Sequence, residues 1–474
     1  MNNNYDTIII GAGMSGLAAG IRLAMFDKKV CIVESHSIPG GLNSYYSRGK
    51  RRLDVGLHAM TNFVPKGTKR SPLTKLLRQL RIPYDSLKLA EQNYSKIRFP
   101  STQLNFSNDQ NTFIKEIESK FPQEIENFKN LLIYLNEYDE VNLNNSYFSA
   151  KAKLNEFIHD ELLIEMIIAP LLIYGSAWEN DMDFSQFAIM FKSIYIEGFS
   201  RPHGGVRTVI NLLLKKYSSL GGEIFYNSEV KDIQTLNNKV ESILLKNGKS
   251  LNTNNVLSSA GLPETLRLIK SEINAITAKL PPEGKMSFTE SIFYFDKTPK
   301  DYNINETIIF YNNKNVYDYK MPKDLCDFSS AVICFPNNYK YANKEIDETI
   351  NGEGIIRITF MANFDKWNNL DKVSYKKQKN IVLDKSLELI KKNIPNFDAN
   401  LLYSDVFTPR TVKKYTGKIN GAVYGSTKKS RTGKTHIENL FICGTDQGFL
   451  GIVGAMLSGI SMANLHCLID GEIA

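Results

Sequence analysis

Thr7-Ile8-Ile9-Ile10-Gly11-Ala12-Gly13-Met14-Ser15-Gly16, with Val30-Cys31-Ile32-Val33-Glu34 beyond it, is the stretch on which the reading of this chain turns. Thr7 to Ile10 reads as a buried parallel strand, Met14 to Phe26 as a helix, and Val30 to Val33 as a second buried strand. The Gly-x-Gly-x-x-Gly spacing therefore stands between a strand and a helix. There the first glycine makes the tight turn, the second lets backbone approach a pyrophosphate, and the third lets helix pack on strand, with the helix N-terminus facing the phosphates. Glu34, about 20 residues on, offers a carboxylate to both hydroxyls of a ribose. An acid there repels a ribose 2′-phosphate and disfavours NADP. Strand, turn, helix, strand and acid together predict a dinucleotide site, with NAD and FAD both open at this point.

Outward from this unit, the chain has the make-up of a globular enzyme. Its 474 residues are 42% hydrophobic and 23% charged, enough for two or more lobes, not necessarily contiguous ones. The net charge of +8 fits peripheral contact with an anionic surface such as lipid head groups. Nucleic acid is not expected as a partner. The basic clusters Lys50-Arg51-Arg52, Lys413-Lys414 and Lys428-Lys429-Ser430-Arg431 lack the aromatic interleaving of a strand-binding groove. Cys31, Cys326, Cys334, Cys443 and Cys467 form no Cys-x-x-Cys, so neither metal nor disulfide is expected. Met1-Asn2-Asn3-Asn4 leads straight into the first strand without the pattern of a secretory signal, and a cytoplasmic location is the expectation. The longest apolar run, Leu162 to Trp178, contains Glu165, Pro170 and Gly175. It falls short of the roughly 20 clean residues that cross a bilayer.

Along the chain, Ser71 to Ser200 is mostly helical in pattern, with apolar residues at helical spacing in Leu73 to Leu80, Phe113 to Phe121 and Leu131 to Tyr138. After His203-Gly204-Gly205 a helix, Val206 to Ser218, leads to strands near Glu223 to Tyr226, Val240 to Leu245 and Asn255 to Ser258. Ser291 to Phe295, Thr307 to Tyr311, Ala331 to Phe335 and Ile355 to Phe360 suit an antiparallel sheet, followed by a long helix around Tyr375 to Lys392. A strand, Leu440 to Cys443, a Gly-rich turn and a helix from about Val453 close the chain. The fold class expected is α/β. A Rossmann-type dinucleotide domain is assembled from 1–70, 201–275 and 405–474, and 71–200 with 276–404 form an interleaved α+β substrate domain of antiparallel sheet and helical insert.

Pro39-Gly40-Gly41-Leu42-Asn43-Ser44 and Asp54-Val55-Gly56-Leu57-His58 resemble the extended fingerprint of the flavoprotein family of phytoene desaturases, carotenoid isomerases, retinol saturases and amine oxidases. That resemblance implies FAD. It places Gly40 and Gly41 beside the FAD phosphates, so that Gly11, Gly13, Gly16, Glu34, Gly40, Gly41 and Ser44 are the expected cofactor-binding residues at this end, and it places His58 near the isoalloxazine. The family usually has Arg where Leu42 stands, so one phosphate contact or supporting ion pair is missing here. Glu229 to Ile233 is similar to the family strand whose valine, here Val230, meets adenine through backbone groups. Asn439 to Asp446 with Gly451 to Gly459 is similar to its closing motif. There Asp446 suits a ribityl hydroxyl, and the helix N-terminus at Val453-Gly454 offers N–H groups to the flavin N1–C2=O edge, where charge gathers on reduction.

Flavin carries out the hydride chemistry, so the protein need only hold a substrate bond against it. No Gly-x-Ser-x-Gly, no HExxH and no second Gly-x-Gly-x-x-Gly after a strand is present; the electron donor or acceptor is left open among a quinone, oxygen and a protein carrier. Ile168 to Gly175, and Thr408-Pro409-Arg410-Thr411 before Gly421 to Gly425, resemble the carotenoid isomerase, desaturase and retinol saturase branch. The expected function is FAD-dependent oxidation, reduction or cis-trans isomerisation at C–C or C=C bonds of an apolar substrate of polyene or isoprenoid type. Two alternatives stand beside it. One is an amine oxidase acting on a C–N bond, whose characteristic lysine is matched here by Glu290; the other is a non-enzymatic carrier of the Rab escort type. Glu290 is either a flavin-facing acid or base or a solvated strand residue, and His58 is either catalytic or structural. Tyr45, Tyr46 and Tyr424 are candidates to wall the flavin.

Overall fold

The first strand, Asn4–Ile10, lies at the centre of a seven-stranded sheet. In this computed structural model, which describes residues 4–270, 280–341 and 352–468, it pairs in parallel with Val30–Val33 on one side and with Ser250–Ser258 on the other. Full burial on both faces explains why Ile8, Ile9 and Ile10 follow one another without polar alternation. Glu223–Phe225 extends one edge. On the other edge Ser250–Ser258 divides its partners: its first half pairs antiparallel with Lys239–Leu245, and Val256 to Ser258 pair in parallel with Leu440–Ile442. The end of the chain thus returns beside its beginning.

Three helices seal one face of this sheet: Met14–Ala24, Val206–Ser219 and Gly451–His466. The first and last meet closely because Gly459 carries no side chain; a Cβ there would lie 2.0 Å from the Ser15 carbonyl oxygen. Leu17, Ile21, Ile210, Leu213, Val453 and Ile460 fill the interface at 1% exposure or less, each contributing roughly 1.5–3 kcal/mol by burial.

The second sheet also has seven strands, in the order Leu401–Phe407, Ser287–Phe295, Gly354–Ala362, Ser330–Cys334, Ile308–Asn312, Ser95–Arg98 and Gln103–Phe106. Its pairs are antiparallel except Ile308–Asn312 with Ser95–Arg98. One face takes the helix Lys372–Asn393 with Trp367, Val382 and Ile390; the other takes the helical lobe. Within that lobe the apolar run forms a helix, Glu161–Gly175, started by Asp160, whose side chain accepts from the Leu163 N–H at 2.9 Å. No described helix is long and apolar enough to cross a membrane.

Candidate functional site

A cavity of about 1530 Å³ lies between the two sheets. Its wall on the first sheet carries Gly11, Gly13, Glu34, Gly40, Gly41, Ser44 and Val230; on the second it carries His58, Tyr174, Phe288, Glu290 and Thr359. Glycine makes the space. Gly13 has nothing within 4 Å of where a Cβ would stand, and Gly41, at φ +59°, meets only the Gly13 Cα at 3.5 Å. The two glycine turns are tied together by the Gly40 N–H, which donates to the Ala12 carbonyl at 2.8 Å. Gly16 contributes closeness instead of space. It lies off the cavity wall, and a Cβ there would fall 2.0 Å from the Gly11 carbonyl oxygen. Its hydrogen lets helix meet strand, as the motif requires.

Glu34 ends the second strand and is 8% exposed. One carboxylate oxygen accepts from the Ala12 N–H at 2.7 Å and the other from the His36 N–H at 2.8 Å. It is therefore locked in place while still lining the cavity. Ser44 donates to the Pro39 carbonyl at 2.8 Å, holding the second glycine turn closed. Val230 opens the strand Val230–Leu236 at the same rim.

The closing turn differs from the sequence expectation. Asp446 is fully buried and off the cavity wall. It accepts from the Leu262 N–H at 2.6 Å and the Ser426 N–H at 2.8 Å, with the Lys429 ammonium at 3.5 Å. Burial pushes its carboxyl up, but the Lys418 and Lys429 charges and the two N–H donors hold it below its ordinary value. Its oxygens are spent on the protein, and Gly444 and Thr445 line the cavity instead. The last helix runs Gly451–His466, two residues before the expected start, and its opening residue, Gly451, has φ +70°, the left-handed region that glycine tolerates. Gly451, Ile452 and Ala455 face the cavity, whereas Val453 is fully buried in the helix interface and Gly454 packs on Phe449.

On the second sheet, period-2 geometry places Glu290 opposite Thr359 and Ile292 opposite Arg357, so Glu290, Thr359 and Arg357 share a face. The loop after Asp54 crosses that face. Arg357 donates from Nε to Glu290 at 2.5 Å, from Nη1 to the Leu57 carbonyl at 2.8 Å, and from Nη2 to the Asp54 carbonyl at 3.2 Å. His58 Nε2 then lies 3.2 Å from Glu290 Oε1 and 3.0 Å from Thr359 Oγ1, while its carbonyl accepts from the Tyr339 hydroxyl at 2.9 Å. The two residues singled out in sequence, 232 positions apart, thus meet in one hydrogen-bonded group. Glu290 is buried, 8% exposed, and not a solvated strand residue. Burial raises its carboxyl, but the charges of Arg357 and His58 and the bonds they donate outweigh that and bring it down to about 2. A second buried pair, Arg201 with Asp54 at 2.5 Å, anchors the loop from behind.

Tyr174, at the end of the apolar helix, lies 6.0 Å from the His58 ring in a near-parallel stack, and its buried hydroxyl has no partner among the described residues. Tyr45, Tyr46 and Tyr424 also line the cavity; Tyr46 donates to Asp405 at 3.0 Å and Tyr424 to the Ile173 carbonyl. Arg357 and Thr359 escape motif reading, and Tyr174, although inside the stretch Ile168 to Gly175, carries no role there. The signal for Arg357 is present nonetheless, a single cation inside the apolar strand Gly-Ile-Ile-Arg-Ile-Thr-Phe, where burial demands a carboxylate partner. Among the described residues no group of His, Cys, Asp and Glu is arranged to hold a metal.

Cavity, glycine floor and acid define a dinucleotide-binding enzyme, and comparison with known proteins names the class. The model of the flavin containing amine oxidoreductase family matches residues 14–465, and the chain belongs to that family. It is an FAD-dependent oxidoreductase. It is 24% identical to the chloroplastic prolycopene isomerase of Daucus carota, over 98% of this chain and 80% of that protein. It is 21% identical to the all-trans-retinol 13,14-reductase of Danio rerio, over 98% and 86%. Its fold is similar to the crystal structure of an oxidoreductase from Methanosarcina mazei, at a TM-score of 0.67 and 16% identity over 97% of this chain and 99% of that one. The residues present fit the cofactor: side-chain-free space over Gly13 and Gly41, with a fixed carboxylate at Glu34.

Proposed function

We propose that the protein uses FAD to oxidise, reduce or isomerise C–C or C=C bonds of an apolar polyene or isoprenoid substrate. The observation that carries this reading is the wall of the cavity on the second sheet and helical lobe. Ile173, Tyr174, Met190, Phe288, Val332 and Leu450 make it apolar, and its carboxylates are already paired, Glu290 with Arg357 and His58 and Asp405 with Lys379 and Tyr46. A cationic amine would find no free carboxylate in that wall among the described residues, whereas a hydrocarbon chain gains by burial there. The relatives named prolycopene isomerase and all-trans-retinol 13,14-reductase support the same substrate class.

In this reading Gly11, Gly13, Gly40, Gly41 and Ser44 shape the phosphate region, Gly16 sets the helix behind it, Glu34 holds the adenosine ribose and Val230 borders the adenine. When bound, FAD supplies the electron or hydride transfer. The chain's own residues exclude water and set the charge beside the reacting carbons. Glu290, held ionised by Arg357, can only accept, so it keeps a proton on His58 Nε2, which points an N–H into the cavity wall. That imidazole and the unpartnered Tyr174 hydroxyl are the groups able to steady charge on a polyene.

A narrow cleft lined by Val141, Leu143, Tyr147, Trp178 and Phe449 adjoins this region, with Gly175 and Met190 between the two. Val141, Leu143 and Tyr147 are 43–54% exposed, and Tyr147 lies under the Arg431 guanidinium. This surface suits peripheral contact with lipid, from which an apolar substrate reaches the cavity. Incubation of the holoenzyme with polyene-loaded vesicles and, separately, with primary amines tests the reading. Altered bond number or geometry in the polyene supports it; peroxide release from amines with the polyene unchanged overturns it.

A further inference from the structure

The cations around the cavity differ in what they touch. Arg48 lies over Tyr46, Arg267 pairs with Glu283, Lys379 with Asp405, and Arg410 donates to the Leu370 carbonyl while stacking on Tyr375. Lys413 and Lys414 lie over Phe364 and Tyr415. Lys418 is unlike them. It is 5% exposed, it lines the cavity, and its ammonium has no hydrogen-bond acceptor among the described residues. Asp446, the neighbouring carboxylate, already accepts from Leu262 and Ser426 and faces Lys429.

Glu264 is in the matching position. Its Oε1 accepts from the Ile419 N–H at 2.9 Å, but its Oε2 is buried with no donor among the described residues. The two open groups flank Gly261, at φ +114°, where a Cβ would fall 2.2 Å from Glu264 Oε2 and 2.4 Å from Lys418 Nζ. Two residues earlier, Ser259 abuts the first glycine of the dinucleotide turn, where a Cβ on Gly11 would fall 2.5 Å from its hydroxyl. A buried carboxylate oxygen without a donor is costly, and that cost falls when a ligand supplies the missing hydrogen; the Lys418 ammonium, on the same cavity wall and without a protein acceptor among the described residues, is open to an anionic one.

We infer that Lys418 and Glu264 hold the linker of FAD: Lys418 pairs with a pyrophosphate oxygen and Glu264 accepts from a ribityl hydroxyl. The chemistry matches side by side, because that linker presents anionic acceptors directly beside O–H donors. Lys418 thereby supplies the cation absent at Leu42, and Glu264 takes the part expected of Asp446. The inference rests on FAD as the cofactor and not on the polyene reading, which is judged on turnover and not on binding.

Titration of wild-type and variant apoprotein with FAD, ADP and riboflavin tests it. Lys418→Met is expected to weaken FAD and ADP about tenfold or more, to leave riboflavin affinity unchanged, and to be rescued in part by Lys418→Arg. Glu264→Met is expected to weaken FAD and riboflavin but not ADP, which lacks the ribityl chain. Wild-type affinity of K418M for FAD and ADP, or an equal loss for riboflavin, overturns the assignment. Should K418M fail to fold, acetylation of wild-type apoprotein read by peptide mass spectrometry decides. Protection of Lys418 by ADP supports the pairing, and equal acetylation with and without ADP overturns it.

Discussion

Two carboxylates show how environment gives one functional group two uses. Glu34 is fixed by two backbone N–H donors and stays available at the cavity rim; Glu290 is fixed by Arg357 and fully committed. Glu34→Arg removes the fixed acceptor and places a cation at the ribose, so FAD affinity should fall about a hundredfold or more. Titrating the apoprotein with FAD checks this, and full retention would show that Glu34 does not hold the ribose. Arg357→Met leaves Glu290 buried without its guanidinium and with only His58 beside it, and urea unfolding should show a loss of about 3–5 kcal/mol. His58→Ala should lower turnover while leaving FAD affinity near wild type, because the imidazole touches Glu290 and Thr359 and not the glycine floor.

At the level of elements, the parts legible in the sequence are those whose chemistry is local. The first strand, the first helix and Glu34 are of this kind: a glycine turn, a buried strand and an acid lie within one short stretch. The pairing of Glu290 with Arg357 depends on the register of two strands 67 residues apart in number, which no local pattern encodes. Asp446 misleads for a related reason. Its motif gives the right turn, but its partners Leu262 and Ser426 come from distant loops and draw the carboxylate off the cavity. Ser95–Arg98 and Gln103–Phe106 lie within a segment whose prevailing period is helical and become strands because the second sheet offers an edge. The apolar helix Glu161–Gly175 ends on Gly175, where a Cβ would meet the Met190 side chain at 3.0 Å. Gly175→Leu should force Met190 aside, raising KM for a long apolar substrate while leaving the flavin spectrum and FAD affinity unchanged.

For the whole molecule, the cavity between two sheets makes stability and cofactor inseparable. FAD at a hundred times its Kd should add about 2.7 kcal/mol to the unfolding free energy, read as a rise in Tm of holoprotein over apoprotein. The buried pair gives the fold an acid limit. Glu290 titrates at about 2 when folded, against an ordinary value of 4.5. Its contribution is therefore complete above pH 4.5 and is lost as the pH falls from there toward 2. Denaturant midpoints across that window should show this component in wild type and not in Arg357→Met. The central claim, an FAD enzyme working on an apolar polyene, is tested most directly by single-turnover reaction of the purified holoenzyme, with its flavin first oxidised and then reduced, against a polyene in vesicles and against putrescine. The expected result is a polyene product of altered bond number or geometry in at least one flavin state, with putrescine intact. Oxidation of putrescine with the polyene unchanged in both states would contradict it.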